Sequence, residues 1–349
     1  MMMMTREHKA LFALLDAGLW GKMEPDMATV FPLSDSEWAK VLEMARQQTV
    51  VGFVSRGVEF LPEDHMPPMG IMVNMMAYVA RIEAANEKMN ATIVRLWRHF
   101  ESKGIRAVLQ KGQGVAALYR EPKLRECGDI DIYFPDIDAS TDPFEGLEGV
   151  KRTKAPDGSW TCWVDGIVVE QHSRLLDIVS PFKQDFLRNL IAEKGFESVR
   201  IGDEDGVDVL IPAPEVNMLL LSTHILKHAL GVGIGLRQIC DIAVACHTYC
   251  QWLDMDEMDD IIRRLGLVRW NKLLRGLIED KKSNDLLHII LKGGNFGTFT
   301  EGRERALRNK ASRKLHTFRS FCKNARFALR YAPGEWFWTM AQLVGGQLR

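Results

Sequence analysis

Two aspartates separated by one residue are the most unusual chemical feature of this sequence. Asp129 and Asp131 lie in the run DIDIYF, residues 129–134, whose other residues are those of a buried β-strand. Strands disfavour aspartate, and alternate side chains share a strand face, so we expect two repelling carboxylates on one face. A divalent cation would offset that repulsion. Carboxylate oxygens suit Mg²⁺ or Mn²⁺ better than zinc, which prefers histidine and cysteine.

A third carboxylate, Glu170, occurs in a later β-type run, IVVEQHS. If that strand neighbours the first, Glu170 would lie beside the aspartate pair. Three carboxylates on adjacent strands can hold two metal ions that clamp the attacking and leaving oxygens of a phosphoryl-type displacement. The alternative is a solvated strand end, with Asp129 in a turn after Gly128, since such aspartate pairs also arise by chance.

A glycine-rich turn precedes these acids. The segment VLQKGQGVAALY, residues 108–119, predicts a strand, a turn and a helix. Glycines let backbone N–H groups and a helix N-terminus approach a phosphate closely, and Lys111 adds a mobile cation. Arg125, just ahead of the aspartates, would either contact phosphates or offset the carboxylates.

The same turn also fits a dinucleotide-binding fingerprint. Gly112, Gly114 and Ala117 have the required spacing, and Asp131 lies about far enough on to contact a ribose. Two features argue against it. The carboxylates lie near the start and middle of the next strand rather than at its C-terminal tip, and no succession of βαβ units follows. The sequence therefore favours a phosphate-binding turn of another kind.

The C-terminal half carries a second group of polar residues. His224 and His228 are four apart and share a helix face, but HILKH lacks the glutamate of the zinc-protease pattern. They are zinc ligands, satisfied histidines at a domain interface, or an anion-binding wall together with Lys227. Arg237 follows a glycine-rich loop and is a candidate nucleotide contact, which Asp241 would orient.

The elements around these motifs predict an α+β fold. SDSE at 34–37 is a capping box, and a long helix begins at PPMG, residues 67–70, and ends at Gly104. Asp165-Gly166 predicts a tight hairpin, and the chain becomes helical after VDVLIPAP, residues 207–214. We expect a small mixed-sheet core at 105–212 between helical regions at 1–104 and 213–349.

Charge and cysteine usage narrow the function classes. The 349 residues carry a formal net charge of −1, so any nucleic-acid surface must be local. The stretch 303–330 predicts an amphipathic basic helix whose apolar positions are Leu307, Ala311, Leu315, Phe318, Cys322, Ala325 and Leu329. Its basic side is a solvated face, a surface for an acidic partner or nucleotide, or an RNA-binding arm. Six cysteines without a CxxC pair indicate reduced thiols, and Cys246 and Cys250 are core residues or a metal pair. No long apolar run is present, so we expect a cytoplasmic protein without a membrane segment.

The segment LQKGQGVAALYREPKLRECGDIDIYF resembles the opening of the DNA polymerase β-like nucleotidyltransferases. More narrowly, residues 105–245 resemble a little-characterised bacterial nucleotidyltransferase family. The motifs that carry this resemblance are Lys111-Gly112, Arg125, Gly128 to Asp131, Glu170-x-His172, His224-x-x-Lys227-His228 and Leu236 to Asp241. The wider superfamily usually has Gly-Gly or Gly-Ser in the turn, so Lys111 would take over part of the triphosphate binding here.

The resemblance implies metal-dependent transfer of a nucleoside monophosphate from a nucleoside triphosphate to a hydroxyl acceptor, with release of pyrophosphate. Its catalytic and Mg²⁺- or Mn²⁺-binding residues would be Asp129, Asp131 and Glu170. Its nucleotide-binding residues would be Lys111, Gly112, Gln113, Arg125 and Arg237. We expect a small-molecule acceptor rather than RNA or protein. The alternative is a non-catalytic protein of the same fold that binds a nucleotide or a partner.

Overall fold

The computed structural model describes residues 4–138, 141–154, 159–231, 233–279, 285–293 and 321–345. The strands are β1 (Val108–Leu109), β2 (Asp129–Tyr133), β3 (Lys151–Lys154), β4 (Trp160–Val164), β5 (Ile167–His172), β6 (Phe196–Ile201) and β7 (Val207–Pro212). The helices before β2 are α1 (Arg6–Trp20), α2 (Pro25–Ala28), α3 (Asp35–Gln47), α4 (Val51–Val58), α5 (Met69–Ser102) and α6 (Gln113–Ala116). The later ones are α7 (Gln184–Lys194), α8 (Pro214–Leu230), α9 (Leu236–Tyr249), α10 (Met255–Arg264), α11 (Val268–Ile278), α12 (Asp285–Gly293), α13 (Ala325–Tyr331) and α14 (Pro333–Gly345).

The strands form one sheet in the order β3-β4-β5-β2-β1-β7-β6, and helices flank it. β2 pairs with β5 and β1 with β7 in parallel, whereas the other pairings are antiparallel. The predicted α+β fold with a mixed sheet is thereby confirmed. The dinucleotide-binding alternative is wrong, because that fold requires a mostly parallel, doubly wound sheet.

Local sequence signals set several of these elements. Ser34 and Glu37 form the predicted capping box of α3. Asp165 and Gly166 both have positive φ, 53° and 79°, as the predicted two-residue turn between β4 and β5 requires. Gly104, with φ of 65°, follows the end of α5 as predicted. The hairpin turn sets the alternation of side chains along β5, and with it the side on which Glu170 lies.

Helix α5 connects two hydrophobic cores. Its C-terminal half packs on the sheet through buried residues such as Ile93 and Phe100, while Met75 and Ile82 belong to a larger core. That larger core combines the helices before the sheet with those after it. The two helical regions therefore pack against each other, and α9 is bonded to the segment just before β2 through Arg237 and Glu126.

The predicted basic helix is described only in part. Residues 303–320 lie outside the described residues. Beyond them, the predicted apolar positions Cys322 and Leu329 are exposed, whereas Phe321 and Ala328 are buried. The predicted apolar face is therefore wrong at these positions.

Candidate active site

The parallel pairing of β2 and β5 brings the predicted acids together. Asp131 lies opposite Glu170 in register, and Asp129 lies opposite Val168. One potential ligand atom each of Asp131, Glu170 and His172 lie within 4.8 Å of one another, a cluster that could hold a metal ion. The adjacency of Asp131 and Glu170 is as predicted, but the third member of this cluster is His172 rather than Asp129. Strand alternation could have indicated His172, because a residue two positions after Glu170 lies on the same face of the strand.

Two basic side chains surround the Asp131 carboxylate. Lys111 Nζ lies 3.1 Å from its Oδ2, and His172 Nε2 lies 2.5 Å from its Oδ1. Burial alone would raise the pKa of Asp131, but the Lys111 ammonium and the contact with His172 outweigh it and hold that pKa below its usual range. Asp131 therefore stays ionised in an almost buried position.

Asp129 has a different environment although it lines the same pocket. Desolvation and the neighbouring Asp131 charge raise its pKa, and Lys111 and Arg237 offset this only in part. Among the described residues, no hydrogen bond or ion pair engages its carboxylate. An added cation would relieve this repulsion.

The turn between β1 and α6 places Lys111 over the acids. Gly112 has φ of 59° and ψ of −119°, a conformation that residues with a side chain rarely adopt. Gly114 has another role, since a Cβ there would lie 2.8 Å from the side chain of Ile211 on β7. The first glycine therefore shapes the turn, and the second allows α6 to pack closely on the sheet.

Arg125 is held by an unpredicted partner. Its Nε and Nη2 donate to the two carboxylate oxygens of Asp241 at 2.6 and 2.7 Å, and Tyr119 Oη donates to the same carboxylate at 2.6 Å. Its Nη1 contacts Cys127 Sγ at 2.8 Å. Burial favours the neutral form of both side chains, but the opposite charges outweigh it. Asp241 therefore raises the pKa of Arg125, and Arg125 holds the pKa of Asp241 below its usual range. This buried pair fastens α9 to the segment before β2.

Gln113 extends this polar network away from the pocket. Its side-chain amide donates to Asn90 Oδ1 at 2.8 Å, and its oxygen accepts from Cys127 Sγ at 3.0 Å. Gln113 is buried and belongs to the packing between α5 and α6. Its side chain therefore supports the turn.

Arg237 enters the pocket from α9. Its Nη1 donates to the backbone oxygen of Glu126 at 2.6 Å, and its buried Nε has no hydrogen-bond partner among the described residues. The hypothesis that Asp241 orients Arg237 is wrong in detail, because Asp241 bonds Arg125 and Tyr119 instead. A buried donor without a partner is costly, so Arg237 occupies this position at a cost in free energy.

His224, the first histidine of the α8 pair, is held by Asp177, which lies in the loop after β5. Asp177 contacts His224 Nδ1 at 3.1 Å and Lys227 Nζ at 2.7 Å. Burial, with neighbouring positive charges, lowers the pKa of His224 to about 4 and that of His228 to about 2, so both are neutral near pH 7. Neither histidine belongs to the one metal-type cluster found among the described residues. The structure therefore supports a satisfied histidine at His224, where Asp177 bonds the ring, and does not support a zinc pair.

The predicted cysteine pair does not form a metal site either. Cys246 packs against the core, and Cys250 is exposed and donates to a backbone oxygen. All six cysteines are free thiols, in agreement with the sequence.

Together these groups line a pocket of about 310 Å³. Its charged lining combines four cationic side chains with four carboxylates: Lys111, Arg125, Lys227 and Arg237, and Asp129, Asp131, Glu170 and Asp241. Such a pocket suits a polyanion accompanied by a cation.

A sequence model of an uncharacterised nucleotidyltransferase family matches residues 34–280. The chain belongs to this nucleotidyltransferase family. The match covers well over half of the chain and includes every residue that lines the pocket. The protein is thus a nucleotidyltransferase, an activity that implies a nucleoside triphosphate substrate. No curated protein and no solved structure matches the chain. Within the described residues, no helix has the length and apolar character needed to cross a membrane.

Proposed function

We propose that this nucleotidyltransferase moves a nucleoside monophosphate from a nucleoside triphosphate to a hydroxyl acceptor, with a site like that of the DNA polymerase β-like enzymes. The observation that carries the proposal is the register of β2 and β5, which sets Asp131 beside Glu170, with Lys111 3.1 Å from Asp131. Acids and a lysine thereby meet at the floor of one pocket. Phosphoryl-type transfer requires both, because the acids would bind a cation and the lysine would bind phosphate oxygens.

The nucleotide would bind to the cationic side of the pocket. Lys111 and Arg237 are the side chains that would contact phosphate oxygens, since both line the pocket and Arg237 Nε has no protein partner among the described residues. Gly112 and Gln113 would contribute backbone N–H groups, because the Gln113 side chain is bonded elsewhere. Arg125 would add positive charge from its position beside Asp241.

The acids would act on the acceptor. The acceptor oxygen attacks the α-phosphorus, the bond from that phosphorus to the bridging oxygen of the β-phosphate breaks, and pyrophosphate leaves. Glu170 would take the hydroxyl proton, since no ion pair holds it among the described residues and it borders the pocket.

The donor set fits a divalent cation. Asp131, Glu170 and His172 already lie within ligand distance of one another, and Asp129 carries an uncompensated charge beside them. Bound there, Mg²⁺ or Mn²⁺ would neutralise charge that develops on the phosphate oxygens. The imidazole of His172 favours Mn²⁺ over Mg²⁺, which prefers oxygen ligands.

Loss of the central aspartate tests the proposal. In the presence of Mn²⁺, the four nucleoside triphosphates and a small-molecule extract as the source of the hydroxyl acceptor, Asp131→Asn should abolish pyrophosphate release. Asp208→Asn, an exposed strand aspartate on β7, is the matched control and should retain it. Full activity of Asp131→Asn would contradict the mechanism.

Calorimetry separates catalysis from simple binding. Titration with ATP, GTP, CTP and UTP in the presence of Mn²⁺ should identify the preferred base. Tight binding without pyrophosphate release on any acceptor would favour the non-catalytic alternative.

A further inference from the structure

A second cleft adjoins the candidate active pocket. It has a volume of about 600 Å³, within the range of small-molecule sites. Glu170, His172 and Lys227 line both cavities. The proposed base therefore lies at the boundary between the pocket that would hold the nucleotide and a separate space.

The far wall of this cleft comes from the C-terminal helix α14. Glu335, Thr339 and Gln342 of that helix line it. Glu335 is only 3% exposed; it accepts from the Val179 backbone at 2.8 Å and pairs with Lys183 Nζ at 2.9 Å. These contacts fix α14 against the loop after β5, which forms the floor of the cleft. The wall is therefore held in place by buried polar contacts.

Among the described residues that line the cleft, one exposed cationic side chain has no hydrogen-bond or ion-pair partner. Lys227 is bonded to Asp177, so its charge is already compensated. Arg174 also lines the cleft, and no hydrogen bond or ion pair engages its guanidinium among the described residues. An unpaired guanidinium favours a carboxylate or a phosphate, which it can bind through two parallel hydrogen bonds.

On the basis of the proposed nucleotidyl transfer, we propose that this cleft is the acceptor site. It would take a small hydroxyl compound that carries a carboxylate or phosphate group. Its anionic group would bind Arg174, and its hydroxyl would reach Glu170 at the boundary of the two cavities. Helix α14 lies beyond residue 280, where the family match ends. We infer that this helix, outside the matched region, determines which acceptor is used.

Transfer of label from nucleotide to acceptor tests the inference. The probes are the four nucleoside triphosphates labelled at the α-phosphate, incubated with the full chain, Mn²⁺ and fractions of a bacterial lysate. The fractions are macromolecules, small anionic compounds and small neutral or cationic compounds. Thr339→Trp fills the cleft, and Ala341→Trp places the same side chain at an exposed position of α14 that does not line the cleft. Arg174→Ala removes the unpaired charge.

We expect label to move to the small anionic fraction. Thr339→Trp should reduce this transfer at least tenfold and Ala341→Trp should not. Arg174→Ala should raise the amount of the fraction needed for half-maximal transfer at least tenfold, and the Kd of the nucleotide should stay unchanged in all three variants.

Several results would overturn the inference while leaving the proposed function intact. The first is transfer of label to macromolecules or to the small neutral or cationic compounds. The second is full transfer by Thr339→Trp. The third is weaker nucleotide binding by Arg174→Ala, which would show that Arg174 binds the nucleotide instead. Nucleotide binding without transfer to any fraction would instead refute the proposed function itself, and the acceptor site with it.

Discussion

The Arg125–Asp241 ion pair provides the sharpest test of how the C-terminal helices hold the pocket. Its two side chains are only 5% and 4% exposed, and two hydrogen bonds of 2.6 and 2.7 Å join them. Asp241→Asn would leave the guanidinium buried without a counter-charge. Removing one partner of such a pair costs about 3–5 kcal/mol. We expect a loss of unfolding free energy at the lower end of this range, about 3 kcal/mol, because the asparagine oxygen can still accept a hydrogen bond from Tyr119.

This loss would be large for a protein whose whole stability is of the order of 5–15 kcal/mol. At about 2–4 °C per kcal/mol for a large domain, the melting temperature should fall by about 6–12 °C. The effect should depend on pH. Arg125 holds the pKa of Asp241 below its usual range, so the stabilisation is present above that range and is lost as pH falls through the native pKa. The wild-type and variant proteins should therefore become more alike in strongly acidic solution.

Urea unfolding at pH 7, monitored by tryptophan fluorescence, measures this difference. Asp260→Asn breaks an exposed pair with Arg263 and should cost less than about 1 kcal/mol. The double variant Arg125→Met/Asp241→Leu removes both charges and should recover most of the loss. The reasoning is refuted if Asp241→Asn costs no more than Asp260→Asn, or if the double variant is as unstable as the single one.

Three further predictions concern individual charges. Asp129→Asn should raise the free energy of unfolding at pH 7 in the absence of divalent ions, because local desolvation and the Asp131 charge raise the pKa of this carboxyl although the residue as a whole is exposed. The same variant should abolish Mn²⁺-dependent pyrophosphate release, and lower stability in urea would contradict the first expectation. Glu170→Gln should lower the rate of pyrophosphate release by about 10²–10⁴-fold with nucleotide affinity retained, and an unchanged rate would exclude it as the base. Protonation of His224, whose pKa is lowered to about 4, should contribute about 3 kcal/mol to the fall in the free energy of unfolding between pH 6.5 and 4, and His224→Gln should remove that contribution while the one from His228 remains.

The sequence predicted that Asp131 and Glu170 lie side by side, because its signals there are local. Alternation along a strand puts Asp129 and Asp131 on one side, and the Asp165-Gly166 turn sets the face on which Glu170 lies. The fold class followed from the change of hydrophobic period along the chain. Strands β3 and β6 escaped prediction because they are polar edge strands, and Lys151–Lys154 is exposed along its whole length.

The partners of the basic residues could not be predicted in the same way. Arg125 is four residues from Asp129 in sequence, yet its carboxylate partner is Asp241, 116 residues further on. That choice depends on how α9 packs on the shared core of the two helical regions, which no local pattern records. Likewise, the loop residue Asp177 bonds His224 and Lys227. No pattern in the sequence around Asp177 indicates that it has these partners.

The charges of the pocket explain why ion and nucleotide binding belong together. Asp131 is already paired with the Lys111 ammonium and bonded by His172, whereas Asp129 and Glu170 have no ion-pair partner among the described residues. The demand for a cation therefore comes mainly from Asp129 and Glu170. A cation shared with Asp131 would weaken the hold of that carboxylate on Lys111, whose ammonium could then turn to phosphate oxygens. Under the proposed function, each ligand would therefore increase the affinity for the other by the same factor, since such coupling is reciprocal.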